Sequence, residues 1–162
     1  MASGGLQQPL VGGTRSGRKI CVAWLCTALW IAVIHALAGD QFSADDSSRI
    51  IGPLLRWLLR DASPEWIAAT HVAVRRAAHV VEYAILALLA LRALRLSFDR
   101  STAWLAAATL AVVMVVAATD ESRQAASAKR TGALSDVTLD ISGGVAALVL
   151  ARAVQRSRGL ST

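Results

Sequence analysis

Four long apolar segments constrain the fold of this chain more than any other feature of its sequence. They are Ile20–Ala38, Ala77–Leu96, Thr102–Ala118 and Leu134–Ala151. Each has about 17 to 20 residues, close to the length that an α-helix needs to cross roughly 30 Å of hydrocarbon. We therefore predict an all-α fold, an integral membrane bundle of four transmembrane helices.

The composition agrees with this prediction, because the chain is too apolar for a soluble domain of its size. It has 162 residues, of which 55% are hydrophobic and only 5% aromatic, and its mean hydropathy is +0.50. One small bundle uses nearly all of the chain. We predict a membrane domain over residues 20–152, preceded by a disordered cytoplasmic tail, 1–19, that is rich in glycine, and followed by a cytoplasmic tail, 153–162.

The first apolar segment has a second interpretation, since a cleaved signal peptide has the same outline. Arg15, Arg18 and Lys19 precede it, and it ends in Ala36-Leu37-Ala38. Its apolar region is longer than the 7–15 residues or so of a signal peptide, and three more membrane segments follow, which favours a retained helix. Its two cysteines, Cys21 and Cys26, are spaced for neither a disulfide nor a metal site, and we predict buried, inert thiols.

The connection from the first to the second segment predicts two further features. Six aliphatic residues recur there at helical spacing with arginines on the other side, which indicates an amphipathic helix at the membrane interface with Trp57 at headgroup level. The six are Ile50, Ile51, Leu54, Leu55, Leu58 and Leu59. Ser63 is a suitable N-cap and Pro64 suits a first helical position. A long second helix is therefore expected to begin at Pro64 and to continue to Leu96.

The flanking charges predict the orientation. The first helix follows basic residues and precedes Asp40, Asp45 and Asp46, which places the N-terminus, and with four crossings also the C-terminus, in the cytoplasm. The net charge of +6 is spread over both sides. Membrane lipids are therefore the expected partners, and nucleic acid is not, because no aromatic residues are interleaved for base stacking.

Ionisable residues in the apolar segments indicate a site, since such groups are costly in lipid. His71, Arg75, His79 and Glu82 recur at steps of four, four and three, so they form one stripe on the second helix, with Tyr83 beside it. We expect this stripe to meet the polar residues of the third and fourth helices in one pocket in the outer half of the bundle. Those residues are Asp120, Glu121, Gln124, Arg130, Asp136 and Asp140. Gly143-Gly144 would allow a close helix approach.

Purely structural roles are the alternative interpretation for these residues. The cluster is alternatively a set of interhelical salt bridges involving Arg76 and Arg130 that only fixes the fold. Arg92 and Arg95 are expected to extend toward the interface, with Asp99 as the partner of Arg95. His35 and His71 lie where the interface can hydrate them, so neither is assigned a role.

The spacing Arg76-x-x-His79-x-x-Glu82-Tyr83, followed by Asp120-Glu121-x-x-Gln124, Arg130, Asp136-Val137, Asp140 and Gly143, resembles that of the VanZ-like family. This family consists of small bacterial membrane proteins known from glycopeptide resistance, especially to teicoplanin, and its biochemical activity is not established. The resemblance covers roughly residues 24–150 and implies the bacterial inner membrane. The family more often has lysine in place of Arg76 and asparagine in place of Asp140.

The resemblance and the residues together lead to three hypotheses. In the first, an envelope protein binds or modifies a lipid-linked or cell-wall component at the outer leaflet and contributes to glycopeptide tolerance. Its acid–base candidates are His79, Glu82, Asp120, Glu121 and Asp136. Its ligand-binding candidates are Arg76, Tyr83, Gln124, Arg130 and Asp140.

The second hypothesis is metal-dependent chemistry at the same polar residues. The sequence has no His-x-x-x-His motif and no cysteine pair to support it, so we assign no metal and no cofactor. The third is a non-enzymatic membrane scaffold.

Overall fold

The computed structural model describes residues 13–37, 53–58, 62–125 and 134–159, and within these ranges all regular secondary structure is helical. The helices are α1 (Gly13–Leu37), α2 (residues 53–58), α3 (Pro64–Ser97), α4 (Thr102–Ala125) and α5 (Leu134–Ser157). All except α2 are long and apolar enough to cross a membrane. The predicted fold class, a four-helix membrane bundle, is confirmed.

Helix α3 begins where its sequence predicts. The Ser63 side chain accepts a hydrogen bond from the Trp66 backbone N–H at 3.3 Å, and Pro64 occupies the first turn, where a missing N–H is harmless. The helix then runs unbroken for 34 residues, a length of about 51 Å. It therefore extends well beyond roughly 30 Å of hydrocarbon.

The other end of α3 corrects one expectation. Phe98, which follows the helix, has an extended backbone (φ −134°, ψ 129°). Asp99 thus lies outside the helix and is not on the same helical face as Arg95. The two form no ion pair in the structure, so the predicted Arg95–Asp99 partnership is wrong.

Helix α2 is the short helix that was predicted between the first two membrane spans. Leu55 is buried, whereas Leu54, Trp57 and Leu58 are exposed. The short helix thus carries apolar side chains that the bundle does not cover, as expected of a segment at an interface. Ile50, Ile51 and Leu59, which belong to the same predicted face, lie outside the described residues.

Helix α3 is the central element of the bundle. It packs most extensively against α5 and also contacts α1 and α4, while α4 and α5 pack against each other. The main core is built around fully buried Tyr83, Leu86 and Ala87 of α3, with Ile34 of α1 and Val113 of α4 against them. A smaller cluster of Leu91, Leu94 and Leu105 continues the core toward the end where α3 finishes.

Two adjacent glycines of α5 lie at close contacts with neighbouring helices. A methyl group at Gly143 would meet the backbone of Val80, with the Val80 carbonyl carbon and Cα both at 3.1 Å. A methyl group at Gly144 would lie 3.1 Å from Cγ1 of Val113. Small residues at a membrane helix interface let backbones approach in this way. The predicted close approach at Gly143-Gly144 is present, to α3 on one side and to α4 on the other.

Helix α1 packs against α3 through a narrow face. Ala23, Thr27 and Ile34 are buried on it, and Trp24 Nε1 donates to Ser97 Oγ at 2.9 Å. Cys21 and Cys26 are both exposed, so the prediction of buried thiols is wrong. The reason is that, among the described residues, α1 packs mainly against α3, and these two positions lie off that face.

Candidate functional site

A histidine–aspartate contact between α3 and α5 forms the centre of the polar cluster. His79 Nδ1 lies 3.2 Å from Asp140 Oδ1. The side chain of Asp140 is 5% exposed and that of His79 is 18% exposed. Gly143 lies one turn after Asp140, and its contact with Val80 brings the two helix backbones together beside this pair. The local packing of α3 on α5 thus holds the imidazole and the carboxylate within reach of each other.

Glu82 and Tyr83 extend the cluster along α3. Glu82 is half-buried, and its carboxylate interacts electrostatically with His79, Asp140 and Asp120. Tyr83 is fully buried. Its hydroxyl makes no hydrogen bond of regular geometry with a described residue, although the same three carboxylates, on Asp140, Asp120 and Glu82, interact with it electrostatically. The tyrosine is therefore a buried member of the cluster, close to its carboxylates.

A second histidine–aspartate contact joins α1 to α4. His35 Nδ1 lies 3.4 Å from Asp120 Oδ1, and the Asp120 side chain is 3% exposed. Arg123, one turn along α4, donates from Nη1 to the backbone carbonyl of His35 at 3.4 Å. This carbonyl belongs to the last turn of α1, where carbonyl groups lack partners within the helix and attract cations. The end of α1 is thus attached to α4 by polar contacts.

His35 and Trp30 are the residues of this region that sequence reasoning missed. His35 was expected to be hydrated at a helix end, yet it contacts a buried carboxylate. Trp30 Nε1 donates to the backbone carbonyl of Glu82 at 2.9 Å. The sequence offered one indication of this contact: the end of the first apolar segment, where His35 lies, is predicted to be at the same depth in the membrane as Asp120. Nothing in the spacing distinguishes a hydrated histidine from a paired one.

The remaining predicted residues differ in where the structure places them. Asp136, in the first turn of α5, and Glu121 are half-buried. Asp136 interacts electrostatically with His79 and with Glu121. Arg76 is exposed. The Gln124 side chain and all of Arg130 lie outside the described part of the structure.

Seven of the ten predicted site residues are therefore brought together at one end of the bundle. They are His79, Glu82, Tyr83, Asp120, Glu121, Asp136 and Asp140. The end of α1, the middle of α3, the end of α4 and the start of α5 meet there. Their roles as acid–base or ligand-binding residues stay predictions.

The family can be assigned from a comparison with protein-family models. The model described as VanZ/LLP1 matches residues 21–155 of the chain. The chain belongs to the VanZ/LLP1 family. The resemblance inferred from the polar spacing is thus confirmed, and the VanZ/LLP1 match includes both histidine–aspartate contacts. Comparisons with curated proteins and with solved structures give no match.

The geometry of this VanZ/LLP1 cluster permits acid–base chemistry. If His79 donates its Nδ1 proton to Asp140, the ring carries its lone pair on Nε2, which can accept a proton. The carboxylate then fixes both the tautomer and the orientation of the ring. Among the described residues, no three His, Cys, Asp or Glu side chains are placed to hold one metal ion.

Proposed function

We propose that this VanZ/LLP1 membrane protein binds or modifies a lipid-linked or cell-wall component at the outer leaflet of the bacterial inner membrane, and so contributes to glycopeptide tolerance of the teicoplanin type. The observation that carries the proposal is the buried His79–Asp140 contact inside a cluster of carboxylates. Ionisable groups within membrane helices are costly and mark ligand or proton sites by default.

The orientation supports a site that faces outward. Arg15, Arg18 and Lys19 lie at the start of α1, and basic residues near a first membrane helix favour its retention in the cytoplasm. The start of α1 lies beside the end of α3, since Trp24 contacts Ser97. The start of α5 lies beside His79 of α3 through Asp140, so the end of α5 lies at the same end of the bundle as the start of α1. With the termini cytoplasmic, the cluster lies in the outer half of the membrane.

The proposed mechanism assigns separate roles to the polar groups. His79 Nε2 acts as the proton acceptor or donor, and Asp140 orients the ring, while Glu82 or Asp136 supplies a second carboxyl group. Arg75, half-buried on the same face of α3, and Arg130 are the candidates for binding a phosphate or carboxylate, since a guanidinium binds such oxyanions through two parallel hydrogen bonds. Arg76 is exposed, and its role as a ligand-binding residue stays a prediction.

The second candidate function is a scaffold, and a specific observation favours it. Both histidine–aspartate contacts join different helices, α3 to α5 and α1 to α4. Polar contacts of this kind contribute on average about 0.6 kcal/mol each to helix association in membranes. In a scaffold the cluster would only hold the bundle together.

Paired substitutions at His79 and Asp140 distinguish the two functions. Removing one partner alone strands a buried polar group and should destabilise the bundle under either hypothesis. The double variant His79→Leu/Asp140→Leu leaves no stranded partner, so it should recover much of the thermal stability in detergent. For a ligand site, this folded double variant should lose glycopeptide tolerance in a sensitised host.

Two further variants complete the experiment. Asp140→Asn retains an oxygen that accepts a hydrogen bond from His79, so it should keep most of the tolerance. Asp99→Asn removes an exposed carboxylate just beyond the opposite end of α3, and it should leave glycopeptide tolerance unchanged. Tolerance is compared at equal amounts of membrane-inserted protein. Full tolerance in the folded double variant would overturn the ligand site and leave the scaffold.

A further inference from the structure

The end of the bundle opposite the polar cluster contains two adjoining cavities. The larger, of about 570 Å³, lies where α3, α4 and α5 meet, and its polar lining includes Arg95, Asp99, Arg100 and Gln155. The smaller, of about 140 Å³, is a slot between the same three helices. Arg95 and Thr102 line both cavities. Both exceed by far the 10–15 Å³ or so that one water molecule requires.

The lining of the slot is apolar along its length and basic at its end. Leu91 of α3, Ala106 of α4 and Leu148 and Val149 of α5 form its apolar walls, and the guanidinium-bearing residues Arg95 and Arg152 lie beside them. A cavity with apolar walls and a basic end suits a molecule that has an apolar part and an anionic end.

Among the described residues, basic side chains outnumber acidic ones in the lining at this end of the bundle. The two cavities together are lined by Arg95, Arg100 and Arg152 against the single acid Asp99. None of these four residues forms an ion pair within the ranges that the structure describes. Guanidinium groups without a carboxylate partner, in a cleft between membrane helices, are suited to a phosphate headgroup.

We propose that this cleft binds one anionic phospholipid, with its phosphodiester at Arg95 and Arg152 and part of an acyl chain in the slot between α3, α4 and α5. The apolar walls favour a lipid over a free phosphate, which would leave the slot unfilled. The site lies at the opposite end of the bundle from His79 and Asp140, so it is independent of the proposed outward-facing function.

The test uses the full-length protein in detergent micelles supplemented with phosphatidylglycerol or with phosphatidylcholine of the same acyl chains. Native mass spectrometry should show one phosphatidylglycerol retained per chain and no comparable retention of phosphatidylcholine. The variant Arg95→Gln/Arg152→Gln should bind phosphatidylglycerol about 30-fold more weakly, which corresponds to about 1 kcal/mol for each basic residue.

A matched control removes the same amount of charge from the same end. Arg92 and Arg156 are exposed on α3 and α5 and line neither cavity, so Arg92→Gln/Arg156→Gln should retain the lipid. The variant Ala106→Leu fills the slot from the α4 side without changing any charge, and it should also lower retention. Thermal unfolding of each variant establishes that it is folded.

Three results would overturn the proposal. One is equal loss of lipid in the matched control, which would indicate general electrostatic attraction to an anionic surface. Another is equal retention of phosphatidylcholine. The third is undiminished phosphatidylglycerol retention in Ala106→Leu together with competition by millimolar inorganic phosphate, which would indicate a site for soluble anions.

Discussion

A single methyl group at Gly143 should separate the two residues at the centre of the polar cluster. Gly143 of α5 lies against the backbone of Val80, the residue after His79, and it is three residues from Asp140. The obstacle to a side chain is the α3 backbone, which cannot rotate away as a side chain can. In Gly143→Ala, α3 and α5 must therefore move apart next to the histidine–aspartate contact.

The size of the movement follows from the contact distances. The new methyl group would lie 3.1 Å from the Val80 carbonyl carbon and Cα, whereas carbon atoms in good contact are about 3.5–4.0 Å apart. The two carbon contacts therefore require the helices to separate by roughly 0.4–0.9 Å, and the Val80 carbonyl oxygen, which is closer still, requires the upper part of this range. The His79–Asp140 distance is already 3.2 Å, and an increase of this size takes it beyond the range of a hydrogen bond.

The energetic cost should be moderate, so the variant should still fold. Overpacking typically destabilises by about 1–3 kcal/mol, and the higher helix propensity of alanine offsets up to about 1 kcal/mol of that. We expect a lower unfolding temperature in detergent and a loss of glycopeptide tolerance that exceeds the loss of inserted protein. Quantitative membrane fractionation and antibiotic susceptibility in the same cells measure both effects.

The neighbouring glycine provides a matched control. In Gly144→Ala the new methyl group meets the Val113 methyl carbons, at 3.1 and 3.2 Å, and Val113→Ala should relieve this clash. Val80→Ala should not rescue Gly143→Ala, because the clash is with the Val80 backbone. Wild-type stability and tolerance in Gly143→Ala, or its rescue by Val80→Ala, would show that a clash with the α3 backbone does not separate the two helices.

Two other predictions concern orientation and the second histidine–aspartate contact. In a background without Cys21 and Cys26, single cysteines placed at Ser47 or Ser127 should be labelled from outside intact cells. A single cysteine at Ser157 should not be labelled. The reverse pattern would mean that the topology is opposite to the one proposed. A double-mutant cycle of His35→Leu and Asp120→Leu should give a coupling of about 0.6 kcal/mol, and at most about 1.7 kcal/mol, in detergent unfolding. A coupling of zero would mean that this contact does not hold α1 to α4.

The sequence predicted the helices well because their determinants are local. Apolar length sets the four spans, and Ser63 with Pro64 fixes the start of α3 through contacts within a single turn. Periodicity also predicted which face of α3 turns inward: His71, Arg75, His79 and Glu82, the residues of the predicted stripe, are all half-buried. Arg76, which was predicted to bind the ligand, is exposed.

The partners of the polar residues could not be predicted in the same way. A helical stripe fixes the face on which a residue lies, but the residue opposite depends on the rotation and the axial offset of the neighbouring helix. Arginines were the expected partners in a salt-bridge network, yet Asp140 and Asp120 contact His79 and His35. How much of the α1 surface the other helices contact also depends on the assembled bundle. For this reason Cys21 and Cys26, which are exposed, were wrongly predicted to be buried.

The central position of α3 has a consequence for biogenesis. Its most extensive contacts are with α5, which follows it by two helices in the chain and is therefore synthesised later. Until α5 arrives, His79 lacks its Asp140 partner, and Asp, Lys or Arg residues near a helix centre oppose membrane insertion by about 2.5–3.5 kcal/mol each. The apolar turns that follow Tyr83 must therefore drive the membrane insertion of α3, while its polar turns remain at the translocon or the interface until α5 is present. A chain truncated before Leu134 should therefore be a substrate for membrane quality-control proteases.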